Sequence, residues 1–336
     1  MTAASAPVAP LLERSRHLRA LLASQGPLAH APIGTVPILW NNVDLPELRL
    51  GQDAEAVLDD IARTGYDGCQ LGLGFPEGEA LRATLAARDL RLAEVYASIP
   101  ATVDGPTDGA LGDLRERLRV LIAGGGDVLC VAFDGTPGRN DAAGHAADAD
   151  TPRLTDGGWD ASVALLRTIS NETRAAGARI GFHSHAGTFV ETPAEVERLA
   201  DSIDAETLPF CLDVGHSLVG GGDPVSALRR YGDRVTHVHL KDVDPDVLER
   251  LRRREVGGFG DAVRARLFTE LGSGVLDLDG VLAVLAERRY DGWLMVEQDS
   301  GWPPPAESAA IGRRVLAAAI RRLNAGDGTT QPGSTR

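Results

Sequence analysis

Short apolar runs alternate with longer amphipathic stretches along most of the chain, a pattern typical of strands followed by helices. The apolar runs predict eight strands, at residues 33–40, 69–75, 90–97, 128–133, 178–183, 209–212, 235–240 and 293–297. Between them, apolar residues recur at helical spacing, as at Val57, Leu58, Ile61 and Ala62. Strands that alternate with helices in this way predict an α/β fold with a parallel sheet.

Helix-capping residues support this division. Asp223 followed by Pro224 predicts the start of a helix between strands six and seven, and Gly232 predicts its end. Thr192 and Glu195 have the spacing of a capping box before another helix. Eight strand–helix units predict a (β/α)8 TIM barrel. The alternative is a doubly wound open sheet, but no glycine-rich phosphate fingerprint follows strand one.

The barrel pattern leaves additional chain at both ends. We expect a helical N-terminal extension over residues 1–32, a single catalytic barrel domain over 33–323 and a disordered tail over 324–336. A weak repeat supports the barrel, because GYDGCQL precedes strand two and RYDGWLM precedes strand eight. The segment 243–273 carries an arginine-rich helical piece and is a candidate lid.

The composition excludes some classes of binding partner and indicates the compartment of the protein. The formal net charge is −14, whereas nucleic acids and anionic membranes are bound by Lys and Arg, so neither is expected as a partner. No run approaches the roughly 20 apolar residues that cross a bilayer. The first residues do not have the pattern of a secretory signal, so we expect a cytoplasmic protein. Cys69, Cys130 and Cys211 fall in predicted strands and are expected to be small buried residues.

Histidines and carboxylates gather at the ends of the last four predicted strands. In a closed barrel these side chains share one mouth, and they are His183, His185, Asp213, His216, His239 and Glu297. Parallel α/β proteins bind their ligands at this end of the strands. Imidazole and carboxylate together suit a divalent cation such as Mn²⁺, Co²⁺ or Zn²⁺, with open positions for a substrate.

Other polar residues could join this mouth. Lys241 shares a strand face with His239 and lies nearer the carboxyl end, whereas His237 is expected to be a packed interior histidine. A salt bridge for Glu297 and a charge pair between Lys241 and Asp242 at the rim are the structural alternatives. The candidate substrate contacts are Trp40 at the end of strand one, Glu94 on strand three and Glu191 after strand five.

The last three predicted strands end in the motifs LDVGH, HVHLKD and VEQD. These motifs resemble those of the xylose isomerase-like barrels, a superfamily of sugar isomerases and epimerases that also includes endonuclease IV. The chain is more similar still to the inosose dehydratase branch, whose order and spacing it matches in PILWNNVDLPEL, FHSHAGTFVET, GGGDPVSALRRYGDRVTHVHLKDVDPDVL, LFTELGSG and YDGWLMVEQD. The resemblance covers roughly residues 33–300.

The resemblance implies a metal site with Glu, Asp, His and Glu from strands five to eight. Carried over by position, the last three ligands are Asp213, His239 and Glu297. His183 stands where the first Glu is expected. Either His183 takes that place, or His185 or Glu191 does, or the metal has fewer protein ligands. The missing carboxylate argues against a symmetric two-base epimerisation, and FTELGSG in place of a sequence like FTVPGDG points to a different substrate.

The resemblance further implies a divalent-metal-dependent lyase or isomerase that acts on a keto-sugar or an inosose-like keto-cyclitol through an enediolate. Mn²⁺ is the expected ion, with Co²⁺, Mg²⁺ and Zn²⁺ as alternatives. The base would be Glu297, His183 or His185, and the acid His216 or Lys241. The sequence does not separate dehydration from isomerisation. The alternative functions are a 3-keto-glycoside eliminase of the same fold and a non-catalytic, metal-containing barrel that binds a sugar.

Endonuclease IV-like DNA repair is a further class with similar motifs. It requires three metal ions and therefore more histidines at strand ends in the first half of the barrel, but predicted strands two to four contain none. The acidic charge also opposes DNA binding. Barrels of this family commonly associate, and the extra N-terminal helix is a candidate contact for a homo-oligomer.

Overall fold

The computed structural model describes residues 8–24, 26–299 and 303–326, and within these residues eight parallel strands close into a barrel. The strands β1 to β8 are Ile33–Thr35, Gly68–Gln70, Arg91–Ile99, Val128–Phe133, Arg179–His183, Phe210–Asp213, Val235–Leu240 and Leu294–Val296. Each strand pairs with its neighbours in sequence, and β8 closes on β1 where Leu294 lies opposite Ile33. The predicted (β/α)8 barrel is therefore confirmed.

Helices surround the barrel and connect its strands. Helices α1 to α13 are Val8–Leu22, Ala54–Arg63, Gly78–Ala86, Ala110–Gly124, Pro137–Asp141, Asp156–Ala175, Pro193–Ser202, Val214–Val219, Pro224–Tyr231, Pro245–Arg252, Gly258–Arg264, Leu278–Glu287 and Pro305–Ala325. Thr192 and Glu195 form the predicted capping box of α7, and the Asp223 carboxylate caps α9. These side chains satisfy backbone amides that a helix leaves unpaired at its start.

Some predicted bounds are wrong, each for a local reason. Strand one ends at Thr35, because Pro37 starts a 3-10 turn, Pro37–Leu39, where the sequence predicts continued strand. A single helix is predicted between strands six and seven, but the chain forms α8 and α9 there. The Asp213 carboxylate accepts a hydrogen bond from the His216 amide, so α8 begins directly after β6.

The barrel core is continuous, and a second apolar cluster lies beside its mouth. This cluster joins Phe259 and Phe268 of the 243–273 segment to Ala143 and Val219. Two antiparallel residue pairs, Asp242–Val243 with Phe268–Thr269, close the segment at its base. The two Asp242 carboxylate oxygens accept from the amides of Val243, Gly272, Gly274 and Leu276. The segment is therefore a packed wall of the mouth.

The two ends of the described chain meet outside the barrel. Arg313 of α13 donates a hydrogen bond of 3.0 Å to the carbonyl of Leu22 at the end of α1. The tail is predicted from residue 324, but helix α13 continues to Ala325; the residues from 327 onward lie outside the described residues. The three cysteines are buried and unpaired, as expected. Among the described helices, none combines the length and apolar character needed to cross a membrane.

Candidate active site

Four side chains from consecutive strands converge at the carboxyl end of the barrel. His183 ends β5, Asp213 ends β6, His239 lies near the end of β7 and Glu297 follows β8. Asp213 Oδ2 lies 3.5 Å from His183 Nε2 and 3.7 Å from His239 Nδ1. His239 Nδ1 is in turn 2.6 Å from Glu297 Oε2. The parallel strands thus place two imidazoles and two carboxylates around one point.

This cluster fits a divalent cation. Within the described residues, three buried atoms that lie together have no well-formed hydrogen bond: Asp213 Oδ2, His239 Nδ1 and Glu297 Oε2. His183 approaches them through Nε2. Buried polar atoms without partners are costly, and such atoms that share one focus are typical of a metal site. Nitrogen and carboxylate oxygen donors suit Mn²⁺, Co²⁺ or Zn²⁺. His183, Asp213 and His239 also each offer a donor atom within 4.8 Å of the others.

Lys241 supplies positive charge to the same carboxylates. Its Nζ lies 2.8 Å from Glu297 Oε1, 2.8 Å from Asp299 Oδ1 and 3.7 Å from Asp213 Oδ2. Burial opposes ionisation of Glu297, but Lys241 and His239 outweigh it and lower the pKa of Glu297 to about 2. Burial likewise opposes the charge of Lys241, yet the carboxylates raise its pKa well above the usual value. We conclude that the lysine is an ammonium ion.

His185 and His216 stack beside the cluster, with ring centroids 3.6 Å apart. Burial lowers the pKa of His185 to about 3 and that of His216 well below its usual value, so both rings are neutral at pH 7. His185 Nδ1 lies 2.7 Å from the Ala186 carbonyl, which only accepts hydrogen bonds. The proton of His185 therefore sits on Nδ1, and Nε2 keeps its lone pair.

Glu94 lies under the cluster, in the middle of the barrel. Its Oε2 is 2.7 Å from His237 Nε2 and 3.1 Å from His239 Nε2. Glu94 is fully buried and does not line the cavity, so its place differs from the substrate contact expected from the sequence. His237 is also fully buried, in agreement with its predicted interior position.

Two further candidate substrate contacts lie away from the cavity. Trp40 is fully buried in the core, and its indole N–H donates to Asp60 at 3.0 Å, because the turn after Thr35 directs it toward α2. The Glu191 carboxylate accepts from the amides of Gly144 and Gly187, each at 2.7 Å. Burial raises the pKa of Glu191 to about 7, against the effect of these amides. Glu191 thus joins two loops instead of facing the cavity.

Above the cluster opens a cavity of about 790 Å³. Its lining includes His183, His185, His239 and Glu297 from the sequence candidates, but not Asp213, His216 or Lys241. Polar lining residues that sequence reasoning missed include Asn42, Asp44, Tyr96, Asp134, Asn140 and Asp299. Two of them had a signal: Tyr96 follows Glu94 at strand spacing, and Asp299 ends the VEQD motif. Asn42, Asp44 and Asp134 lie in loops without periodicity, and Asn140 lies on the short helix α5.

Comparison with known proteins identifies a matching family and relatives that are similar over most of the chain. Residues 58–319 match the family described as xylose isomerase-like TIM barrel. The chain is 33% identical over 294 residues to inosose dehydratase of Geobacillus kaustophilus, covering 87% of this chain and 95% of that protein. It is 36% identical over 301 residues to the rhizopine catabolism protein MocC of Rhizobium meliloti, covering 87% and 90%.

Solved structures share the fold at lower sequence identity. The probable 3-DHS dehydratase AsbF of Bacillus anthracis superposes with a TM-score of 0.62 at 15% identity, covering 87% of this chain and 98% of that one. An L-ribulose 3-epimerase gives a TM-score of 0.63 at 18% identity, covering 90% and 100%. At these identities the structures support the barrel architecture alone.

Proposed function

Because the chain belongs to the xylose isomerase-like TIM barrel family, we propose that it is a divalent-metal-dependent dehydratase that removes water from a keto-cyclitol of the inosose type. The observation that carries this proposal is the convergence of His183, Asp213, His239 and Glu297 at the carboxyl end of the barrel, where all but Asp213 line the cavity. The inosose dehydratases among its relatives supply the reaction class.

The charge of the cavity favours a substrate without an anionic group. Carboxylates from Asp44, Asp134 and Asp299 line it, beside Glu297. Its lining within the described residues contains one Lys or Arg, Arg264, whose guanidinium is held by Glu47 and Asp261. Phosphates and carboxylates are bound by cationic donors. An uncharged keto-cyclitol therefore suits this cavity better than a sugar phosphate or a sugar acid.

Four residues would hold the metal: His183, Asp213, His239 and Glu297. When bound, a divalent cation would supply the positive charge that stabilises the negative charge developing on the substrate carbonyl oxygen. Mn²⁺ is the first choice, since its preferred ligands include both carboxylate and imidazole.

His185 is suited to accept the α-proton. It lines the cavity and holds its own proton on Nδ1, so Nε2 has a free lone pair. Burial, which lowers its pKa, makes it a weak base and favours its return to the neutral form, so the proton it takes passes on to solvent. Asp299 is suited to protonate the departing β-hydroxyl, because it lines the cavity and its Oδ1 lies 2.8 Å from the Lys241 ammonium. Burial raises the pKa of Asp299 to about 7, so a protonated form is accessible near neutral pH. The hydroxyl leaves as water, and solvent returns the proton from His185 to Asp299.

The replacement of the expected first carboxylate by His183 favours dehydration over epimerisation. A two-base epimerisation needs a base on each face of the substrate carbon. His185 and His183 come from the same strand end and lie 5.4 Å apart between ring centroids, so they occupy one side of the cavity.

The cytoplasm is the compartment we propose, because the three cysteines are buried and unpaired.

Proton exchange in D₂O tests the reaction. The protein, loaded in turn with Mn²⁺, Co²⁺, Mg²⁺ or Zn²⁺, is incubated with inososes, keto-hexoses, 3-keto-glycosides and 3-dehydroshikimate, and NMR follows the α-proton. We expect exchange of the α-proton and loss of water with an inosose, and no turnover of 3-dehydroshikimate, which carries a carboxylate. Absence of exchange with every compound, while stoichiometric metal is bound, would overturn the proposal.

A matched pair of variants separates chemistry from folding. His185→Gln removes the proposed base and should lower the exchange rate by about 10²–10⁴-fold. His17→Gln changes an exposed histidine on α1 and should leave the rate at the wild-type value. Equal rates in both variants would exclude His185 as the base.

A further inference from the structure

Glu94 lies at the centre of the barrel interior and contacts the opposite wall. It comes from β3, while His237 and His239 come from β7, four places away in a ring of eight strands. The side chain is fully buried, as is that of His237. A single oxygen, Oε2, lies 2.7 Å from His237 Nε2 and 3.1 Å from His239 Nε2. The carboxylate thus links two inward residues of one strand across the whole barrel.

Stability alone does not account for a carboxylate at this depth. TIM-barrel interiors are filled mainly by layers of branched apolar side chains. Removing a carboxylate from water is costly, and replacement of a buried ion pair by apolar residues of similar volume is often neutral or stabilising. A function for Glu94 should therefore be found in what its partners do.

The two ring nitrogens of His239 face different groups. Nε2 faces the Glu94 carboxylate, which accepts hydrogen bonds, so Nε2 carries a proton. Nδ1 faces two carboxylates of the cluster, Glu297 Oε2 at 2.6 Å and Asp213 Oδ2 at 3.7 Å. The opposite tautomer would place a lone pair on Nε2 against the Glu94 oxygen. Nδ1 would give up its own proton to bind a cation, and Glu94 then holds the remaining proton on Nε2.

We propose that Glu94 is a positioning residue for the metal site: its carboxylate fixes the tautomer and the ring orientation of His239 and makes Nδ1 a stronger ligand. His237 completes the arrangement, because its Nε2 lies 2.7 Å from the same oxygen and restrains the rotation of the carboxylate. Carboxylates that hold metal-binding histidines in this way typically change metal affinity by 10–100-fold when removed. This inference rests on the proposed metal site but not on the identity of the substrate.

Metal affinity tests the inference. Mn²⁺ binding is measured by calorimetry for the wild type and for Glu94→Gln, which keeps the shape of the side chain and removes its charge. We expect the Kd for Mn²⁺ to rise by about 10–100-fold. The matched control is Asp127→Asn, which weakens the contact of a partly buried carboxylate with the Trp293 indole at 2.7 Å, outside the metal cluster. This control should lower Tm and leave the Kd unchanged.

A second measurement does not depend on the variants' folding. In wild-type protein with ¹⁵N-labelled histidine and bound Zn²⁺, which is diamagnetic, NMR should show the His239 proton on Nε2, with the signal assigned by its loss in His239→Gln. A proton on Nδ1 alone would overturn the inference, as would an unchanged Kd in Glu94→Gln. If the wild type itself bound no Mn²⁺, the proposed function would fail instead, so the two failures are distinguishable.

Discussion

Lys241 provides the most direct test of the charge balance in the site. Its ammonium lies 2.8 Å from both Glu297 and Asp299 and is 1% exposed. Lys241→Met keeps most of the chain length and removes the charge. The buried carboxylates of Glu297, Asp299 and Asp213 then lose their nearest ammonium group. We expect the metal-free protein to become markedly less stable.

The size of this loss follows from the burial. Breaking a buried ion pair by removal of one partner costs about 3–5 kcal/mol. With about 2.1 cal/mol/K of unfolding entropy per residue, a chain of 336 residues has an unfolding entropy of about 0.7 kcal/mol/K, so Tm should fall by about 4–7 °C. A divalent cation supplies positive charge to the same carboxylates. The rise in Tm on addition of Mn²⁺ should therefore be larger in Lys241→Met than in the wild type.

Thermal unfolding followed by circular dichroism, first in chelator and then in Mn²⁺, measures both quantities. Arg230→Met is the matched control, because it also removes one cation, but its ion pair with Glu197 is exposed. Exposed pairs contribute about 0–1 kcal/mol, so this Tm should change by about 1 °C or less. Equal losses of Tm in the two variants would refute the reasoning. A metal-induced rise in Lys241→Met no larger than that of the wild type would refute it as well.

Three further predictions concern Trp40, the metal ligand Asp213, and Asp242 at the base of the 243–273 segment. Trp40→Phe removes the hydrogen bond to Asp60 and should lower stability by about 1 kcal/mol, with unchanged kcat/KM for dehydration. A fall in kcat/KM at constant Tm would instead indicate that Trp40 contacts the substrate. Asp213→Asn and Asp213→Ala should both lose Mn²⁺ binding in calorimetry. Only Asp213→Ala also loses the helix cap on the His216 amide, so in chelator it should be about 1 kcal/mol less stable than Asp213→Asn. Asp242→Ala leaves four backbone amides without their acceptor and should lower stability by about 3 kcal/mol or more, with faster proteolysis at residues 266–276. Unchanged proteolysis would show that Asp242 does not hold this segment in place.

Much of the architecture could be predicted from local patterns. Apolar runs, capping residues and glycine stops depend on a few neighbouring residues, so they predict the eight strands, the capping box at Thr192 and the cap at Asp223. Alternation along a strand also shows which side chains point inward, as for His237 and His239. Bounds fail where a single proline or cap overrides the pattern, as at Pro37 and Asp213.

The candidate site likewise has features that local sequence predicts and features that depend on the tertiary structure. The sequence by itself determined that polar groups stand at the ends of strands five to eight, because the carboxyl ends of parallel strands meet at one edge. Only the tertiary structure decided which groups face each other. Barrel closure brings Glu94 of β3 against His239 of β7, across 145 residues of sequence, and it turns Trp40 into the core. Such pairings depend on the register and diameter of the closed barrel, which no local pattern of residues encodes.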